Sequence, residues 1–93
     1  MPFINFNTKK QVTVWEGISG GIHHSEQLTF AHFTLQKGAV AKEHSHVHEQ
    51  WTHIISGELE FTLNGETTIL KPGMAAHSPS FAPHSARAIT ECK

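Results

Sequence analysis

Short stretches of alternating polar and apolar residues, separated by Gly and Pro, recur along the whole chain. In residues 28–36, Ala31, Phe33 and Leu35 occupy every second position, which places them on one face of an extended strand. Residues 58–63 alternate in the same way. No stretch of a dozen residues shows the 3.6-residue apolar period of an amphipathic helix. The pattern therefore predicts an all-β fold, as a sandwich or a barrel.

Turn-forming residues set the expected ends of the strands. Asn64-Gly65 separates residues 58–63 from residues 66–70, and this dipeptide is the strongest short-range signal of a β-hairpin. Lys71-Pro72-Gly73 predicts a second turn, and Pro79 and Pro83 bracket a predicted loop. The other predicted strands are residues 12–15, closed by the glycine-containing stretch 17–21, and residues 51–56 and 85–90.

Length and charge narrow the class of protein. A chain of 93 residues and 10.3 kDa accommodates one domain, which we expect to comprise residues 1–93. The net charge of −1, without a basic block, gives no support for binding to nucleic acid or to a polybasic membrane site. No apolar run approaches the ~18 residues of a membrane span, and the N-terminus lacks a signal-peptide pattern. Cys92 is the only cysteine, so we expect a reducing, cytoplasmic setting.

Histidine is the most unusual feature of the composition. The chain has nine histidines, and all eight of its acidic residues are Glu. Because imidazole titrates near neutral pH and is the commonest metal ligand in proteins, this excess indicates metal or proton chemistry. The spacing of the histidines has to show which of them take part.

His44-Ser45-His46 is the most informative group. Residues i and i+2 of a strand point to the same face, so both imidazoles are expected to converge on one ion. A turn at residues 47–49 would return Gln50 on the next strand. His84, distant in sequence, would join these residues only if the sheet curls into a barrel.

Two sequence patterns resemble the signatures of the cupin superfamily. The first is Gly38-x5-His44-x-His46-x3-Gln50-x6-Gly57, in which the spacing agrees at four points. The second is Gly73-x5-Pro79-x-Phe81-x2-His84-x3-Ala88, where Phe81 and Ala88 stand in place of the family's Gly and Asn. The resemblance implies a double-stranded β-helix, a jelly-roll-like barrel that holds one divalent metal ion.

The same resemblance implies a set of metal ligands. His44, His46 and His84 match the three histidines of the family, and Gln50 stands at the position of its carboxylate. Glu49 would be the ligand instead if the loop were one residue shorter, but the spacing to Gln50 and on to Gly57 favours Gln50. The metal would be Ni, Fe, Mn or Zn, since three His and one oxygen ligand are compatible with each.

A narrower resemblance concerns substrate. The segments 37–50 and 56–62 are similar to small cupins of the KdgF type, which convert 4,5-unsaturated uronates to linear ketonised sugars. This implies a metal-dependent enzyme of carbohydrate metabolism that acts on a small sugar acid. Arg87, the only arginine, and Lys42, which has the strand parity of His44, are candidate clamps for the substrate carboxylate. A solvated surface position is the competing interpretation for both.

Two other functions remain open at the level of sequence. A three-histidine site is compatible with a non-haem metal dioxygenase, and the neutral Gln50 is compatible with a cupin that binds a metal and a small ligand without catalysis. We also expect a homodimer, because alternating strands leave an apolar outer face and unpaired strand edges.

Overall fold

A computed structural model describes residues 3–93, and strands are the only regular elements of this part of the chain. The nine strands are β1 (Val12–Trp15), β2 (Ile18–His24), β3 (Thr29–Leu35), β4 (Val40–His44), β5 (Gln50–His53), β6 (Leu59–Leu63), β7 (Glu66–Leu70), β8 (Ala75–Ser78) and β9 (His84–Ala88). Within residues 3–93 we find no helix of the length and apolar character needed to cross a membrane. The all-β prediction is confirmed.

The strands form three antiparallel sheets. Their orders are β1-β2-β3, β4-β9-β6-β7 and β5-β8. In the second sheet, β9 lies between β4 and β6, so the last strand is held on both edges. An antiparallel bridge from Leu35 to Cys92 ties the following residues to β3. This arrangement brings β4 and β9, which are 40 residues apart in sequence, side by side.

Most of the predicted strands are present with small changes at their ends. The β6–β7 hairpin turns at Asn64 and Gly65, whose φ angles of 49° and 81° are the positive values that a two-residue hairpin turn requires. The prediction of a closing loop at residues 17–21 is wrong, because Gly20 and Gly21 lie within β2. Gly20 is needed there, since a Cβ at this position would lie 1.8 Å from the His32 carbonyl oxygen.

The core lies between the inner faces of these sheets. Its central residues are all buried: Ile54, Leu59, Phe61, Leu70, Ala88 and Cys92. Alternate residues of β9 face this core, and they include Ala86, Ala88 and His84. A histidine therefore occupies an inward-facing position in an otherwise apolar row.

Candidate metal site

His44 and His84 are brought together by direct strand pairing. His44 is the last residue of β4 and His84 the first residue of β9, and the two are Cα partners in the antiparallel ladder. Their ring centroids lie 4.3 Å apart. Since directly opposed residues share one face of a sheet, the pairing accounts for the convergence of two residues 40 positions apart.

His46 joins the pair from a loop. It lies two residues beyond the end of β4, so the expectation that one strand aligns His44 and His46 is wrong. Its ring centroid lies 5.7 Å from that of His44 and 5.0 Å from that of His84. One potential ligand atom from each of the three histidines lies within 4.8 Å of the others. In the described residues this is the one such group of three.

Backbone carbonyl groups fix the tautomer of each imidazole. The Nδ1 atom of His44 lies 2.7 Å from the Lys42 carbonyl oxygen, that of His46 2.6 Å from the His48 oxygen, and that of His84 2.9 Å from the Ala82 oxygen. A carbonyl oxygen only accepts hydrogen bonds, so Nδ1 carries the proton in all three rings. Each Nε2 atom of the neutral ring is left with a free lone pair, which is the form that binds a metal ion.

His84 has the clearest need for a further partner. It is 3% exposed, and its Nε2 atom is buried without a hydrogen bond. Burial lowers the pKa of His84, the hydrogen bond to Ala82 opposes this effect, and the neighbouring His44 and His46 add to it. A buried nitrogen lone pair without a donor is costly in a folded protein, and coordination of a cation would satisfy it.

Gln50 supplies an oxygen to the same group. It begins β5, and its Nε2 donates a hydrogen bond of 2.9 Å to the Thr52 hydroxyl oxygen. This contact turns its Oε1 toward His46, 3.2 Å from the imidazole Nε2. With the proton of His46 on Nδ1, the lone pairs of its Nε2 and of Gln50 Oε1 lie close enough to be shared by one cation. The three Nε2 atoms and Oε1 therefore fit a divalent transition metal ion.

Glu49 points away from this group. Its Oε2 lies 2.8 Å from His77 Nε2 on the exposed surface, and the His77 ring stacks on Trp51 with centroids 4.6 Å apart. Of the two adjacent candidates for the oxygen ligand, the structure brings Gln50 to the histidines and pairs Glu49 with His77. The alternation of β5 explains the difference, because Gln50 and Thr52 are partly buried while Trp51 is 68% exposed.

Lys42 and Arg87 lie on the other side of the sheet. The register of β4 against β9 shifts between Ala41 and His44, which is the signature of a β-bulge. The extra residue reverses the parity, so the argument that placed Lys42 on the face of His44 does not hold. Arg87 forms an exposed 3.4 Å ion pair with Glu60, its cross-strand partner. Lys42 and Arg87 line a common outer groove of about 360 Å³ instead of the histidine cluster.

Aromatic rings flank the cluster. The Trp15 ring centroid lies 5.7 Å from that of His44, and the buried Phe61 ring stacks at 6.0 Å on His84. Sequence reasoning missed the places of Trp15 and Thr52 in this site. For Thr52 a signal exists, because it follows Gln50 by two positions on one strand and so shares its face. The position of Trp15 depends on how separate sheets pack, which no local pattern reports.

The sequence profile of the cupin domain family matches residues 31–93. The chain belongs to the cupin family. All four residues of the cluster fall within the matched segment. The cupin resemblance of the two signatures is thereby confirmed.

Two relatives carry the KdgF name. The pectin degradation protein KdgF of Dickeya dadantii is 33% identical over 69 residues, which cover 68% of this cupin and 63% of the relative. This cupin therefore spans less than two thirds of that relative's length. The solved structure of KdgF from Halomonas sp. is 30% identical, with a TM-score of 0.86 over 97% of this chain and 83% of the other. The chain is thus a KdgF-like cupin.

A second solved structure that resembles the chain is a dioxygenase. The salicylate 1,2-dioxygenase of Pseudaminobacter salicylatoxidans is 28% identical, with a TM-score of 0.62 over 64% of this cupin. The matched part is 17% of the dioxygenase chain. It shows how widely this barrel is shared among proteins of different function.

Proposed function

We propose that this cupin binds one divalent transition metal ion through His44, His46, His84 and Gln50 and converts 4,5-unsaturated uronates to linear ketonised products. The observation that carries the metal site is the convergence of one ligand atom from each of three histidines, whose Nδ1 atoms are all held by backbone carbonyl groups. The likeness to the KdgF proteins supports the choice of a sugar-acid substrate.

The protein's own contribution is a rigid set of donors with no formal charge. Three neutral imidazoles and one amide leave the positive charge of the ion uncompensated, whereas a carboxylate at position 50 would cancel part of it. A bound divalent ion supplies Lewis-acid polarisation of an oxygen of the substrate. Because its charge is not compensated, an ion held by these donors would attract an anionic substrate more strongly than one held by a carboxylate. We assign neither Lys42 nor Arg87 to the substrate, because both lie in the outer groove.

The test is an ultraviolet assay with 4,5-unsaturated galacturonate. The conjugated double bond absorbs, and the rate of its loss is compared for metal-loaded protein, chelator-treated protein and buffer. We expect loss of absorbance to be faster only with the metal-loaded protein. Equal rates in all three samples, with metal bound, would contradict the uronate activity.

Two histidine variants test whether metal binding depends on the cluster or on the high histidine content of the chain in general. His84→Ala is expected to lose metal and activity together, since it removes a buried ligand. His53→Ala is the matched control, because His53 is an exposed residue of β5 outside the cluster. Stoichiometric metal in His84→Ala would refute the ligand assignment.

A non-haem dioxygenase is the second candidate function, favoured by the three-histidine cluster and the partial match to salicylate 1,2-dioxygenase. Substrate-dependent oxygen uptake distinguishes it, because linearisation of a uronate consumes no oxygen. A non-catalytic binding role would show as thermal stabilisation by the sugar acid without turnover.

We further propose that residues 1–93 act as a single domain in the cytoplasm and form a homodimer. The one cysteine, Cys92, is buried and free, in keeping with a reducing compartment. Leu28 and Phe30 are 73% and 60% exposed near the free edge of β3, where a second copy would cover them. Light scattering should give about twice the chain mass of 10.3 kDa, and the chain mass itself would refute the dimer.

A further inference from the structure

The loop before β9 contains a left-handed residue that is not glycine. Phe81 has a φ of +63° and is the third residue of a turn that the 3.0 Å hydrogen bond from Ala82 N–H to the Pro79 carbonyl closes. A positive φ at the third position alone is the arrangement of a type II turn, which favours Gly or Asn there. Phenylalanine is a poor choice for this conformation, since its Cβ approaches the following carbonyl group.

Burial of the ring does not offset this strain. The Phe81 side chain is 65% exposed, so it gains little from packing within the chain. The backbone of the turn, in contrast, is held by strong contacts. Strained residues that persist without a packing reason are concentrated at functional sites.

Two of those contacts reach metal-site histidines. The Phe81 N–H donates a 2.7 Å hydrogen bond to the carbonyl oxygen of His46. The carbonyl oxygen of the next residue, Ala82, accepts the Nδ1 proton of His84 at 2.9 Å. The φ torsion of Phe81 lies between these two backbone groups. This torsion therefore sets the orientation of the His84 ring relative to the backbone of His46.

We propose that Phe81 is a positioning residue of the metal site, whose left-handed backbone keeps the His46 and His84 ligands in register. The inference rests on the proposed metal site and adds a residue that touches neither the ion nor the substrate. If the backbone of Phe81 relaxes to a negative φ, the two contacts are not made together, and the site loses its preorganised geometry. The apparent metal affinity is then the intrinsic affinity multiplied by the fraction of molecules in which the turn is formed.

The experiment varies the preference for a left-handed backbone while keeping the amide N–H. The variants are Phe81→Asn, which accepts this conformation, Phe81→Val, which resists it strongly, and Phe81→Ala, which removes the ring without helping the backbone. The probe is Co²⁺, titrated in competition with a chelator and followed by its visible absorption spectrum. An ordinary L-residue disfavours the left-handed region by roughly 5- to 30-fold.

We expect Phe81→Asn to bind Co²⁺ about 3- to 10-fold more tightly than the wild type and Phe81→Val about 10-fold more weakly. Phe81→Ala should stay within about 2-fold of the wild type. If Phe81→Val does not fold, the difference between Phe81→Asn and Phe81→Ala carries the test. Equal affinities of the Asn and Ala variants and the wild type would overturn the inference.

A strain control lies in another turn. Gly73 has a φ of +88°, and a Cβ there would meet no atom within 4 Å, so Gly73→Ala adds left-handed strain and no clash. It should lower the melting temperature and leave Co²⁺ affinity and spectrum unchanged, whereas Phe81→Asn and Phe81→Val should change both. If the wild type itself binds no Co²⁺, the proposed metal site fails, which is a different result from equal binding by all variants.

Discussion

The effect of His84→Leu on stability should depend on metal. The variant should be at least as stable as the wild type without metal and less stable than the wild type when metal is bound. His84 is 3% exposed and lies beside Phe61, with Nε2 unpaired. Without metal, this nitrogen is a buried polar atom that the core does not satisfy. His84→Leu replaces it with an apolar side chain of similar size.

The expected size follows from two opposing effects. An unsatisfied buried polar group costs about 1–3 kcal/mol, and the variant removes this cost. The variant also loses the hydrogen bond from Nδ1 to the Ala82 oxygen, which contributes about 0.5–1.5 kcal/mol. The metal-free variant should therefore be equal to the wild type or up to about 2 kcal/mol more stable. At about 4–8 °C per kcal/mol, a gain of this size should raise the melting temperature by up to roughly 8–16 °C.

Bound metal should make the wild type more stable than His84→Leu. A ligand at one hundred times its dissociation constant stabilises the folded state by about 2.7 kcal/mol, and the variant should gain none of this. The assay is thermal unfolding of both proteins in chelator and in saturating Zn²⁺. If the metal-free variant were several kcal/mol less stable than the wild type, or if Zn²⁺ stabilised it equally, His84 would not be an unsatisfied buried ligand.

The same residue predicts a pH dependence of the metal-free protein. Burial lowers the pKa of His84 below its ordinary value of 6.5, so the unfolded chain takes up this proton before the folded chain does. Stability should be intact above about pH 6.5 and should fall as the pH drops below that value. Urea unfolding across this range should show a smaller loss in His84→Leu, and an identical loss in both proteins would contradict the assignment.

Three further predictions concern other parts of the chain. Gln50→Glu should tighten Zn²⁺ binding about 10-fold in a chelator competition, because a carboxylate supplies the charge that the amide lacks; weaker binding would argue against the ligand position. Gly57→Ala should lower the free energy of unfolding by more than about 2 kcal/mol, since the φ of Gly57 is +82° and a Cβ would lie 2.2 Å from the Glu91 carbonyl oxygen. Gly73→Ala is the control: its Cβ would have no atom within 4 Å, and it should lower the free energy of unfolding by only about 1 kcal/mol. Arg87→Ala should leave Zn²⁺ affinity within about 2-fold and change stability by less than about 1 kcal/mol, because its ion pair is exposed.

Much of the architecture is encoded locally and is predictable for that reason. Alternation fixed the expected inner face of β3, and Asn64-Gly65 marked the β6–β7 hairpin. The prediction of a loop at Gly20 and Gly21 was wrong because glycine occurs both in turns and where two strands approach closely. The need for Gly20 comes from the carbonyl of His32 on the neighbouring strand, which only pairing reveals.

The residues of the candidate site could be predicted from the sequence, but their arrangement could not. The spacing of the cupin signature selected His44, His46 and Gln50, yet it could not show that His46 leaves the strand. A bulge in β4 placed Lys42 on the outer face, and a count of alternate positions cannot reveal an extra residue in one strand. The choice between Gln50 and Glu49 depended on side chains from β8 and on Thr52, which lie beyond any motif.

The coordination sphere of the bound metal shows whether His44, His46, His84 and Gln50 hold the ion. We would record the X-ray absorption spectrum at the metal K-edge for wild-type protein loaded with Zn²⁺ and for His84→Ala treated in the same way. We expect three imidazole nitrogens and at least one oxygen at about 2.0–2.2 Å in the wild type, with fewer imidazoles or no bound metal in the variant. Two or fewer imidazoles in the wild type, or an unchanged spectrum in His84→Ala, would contradict it.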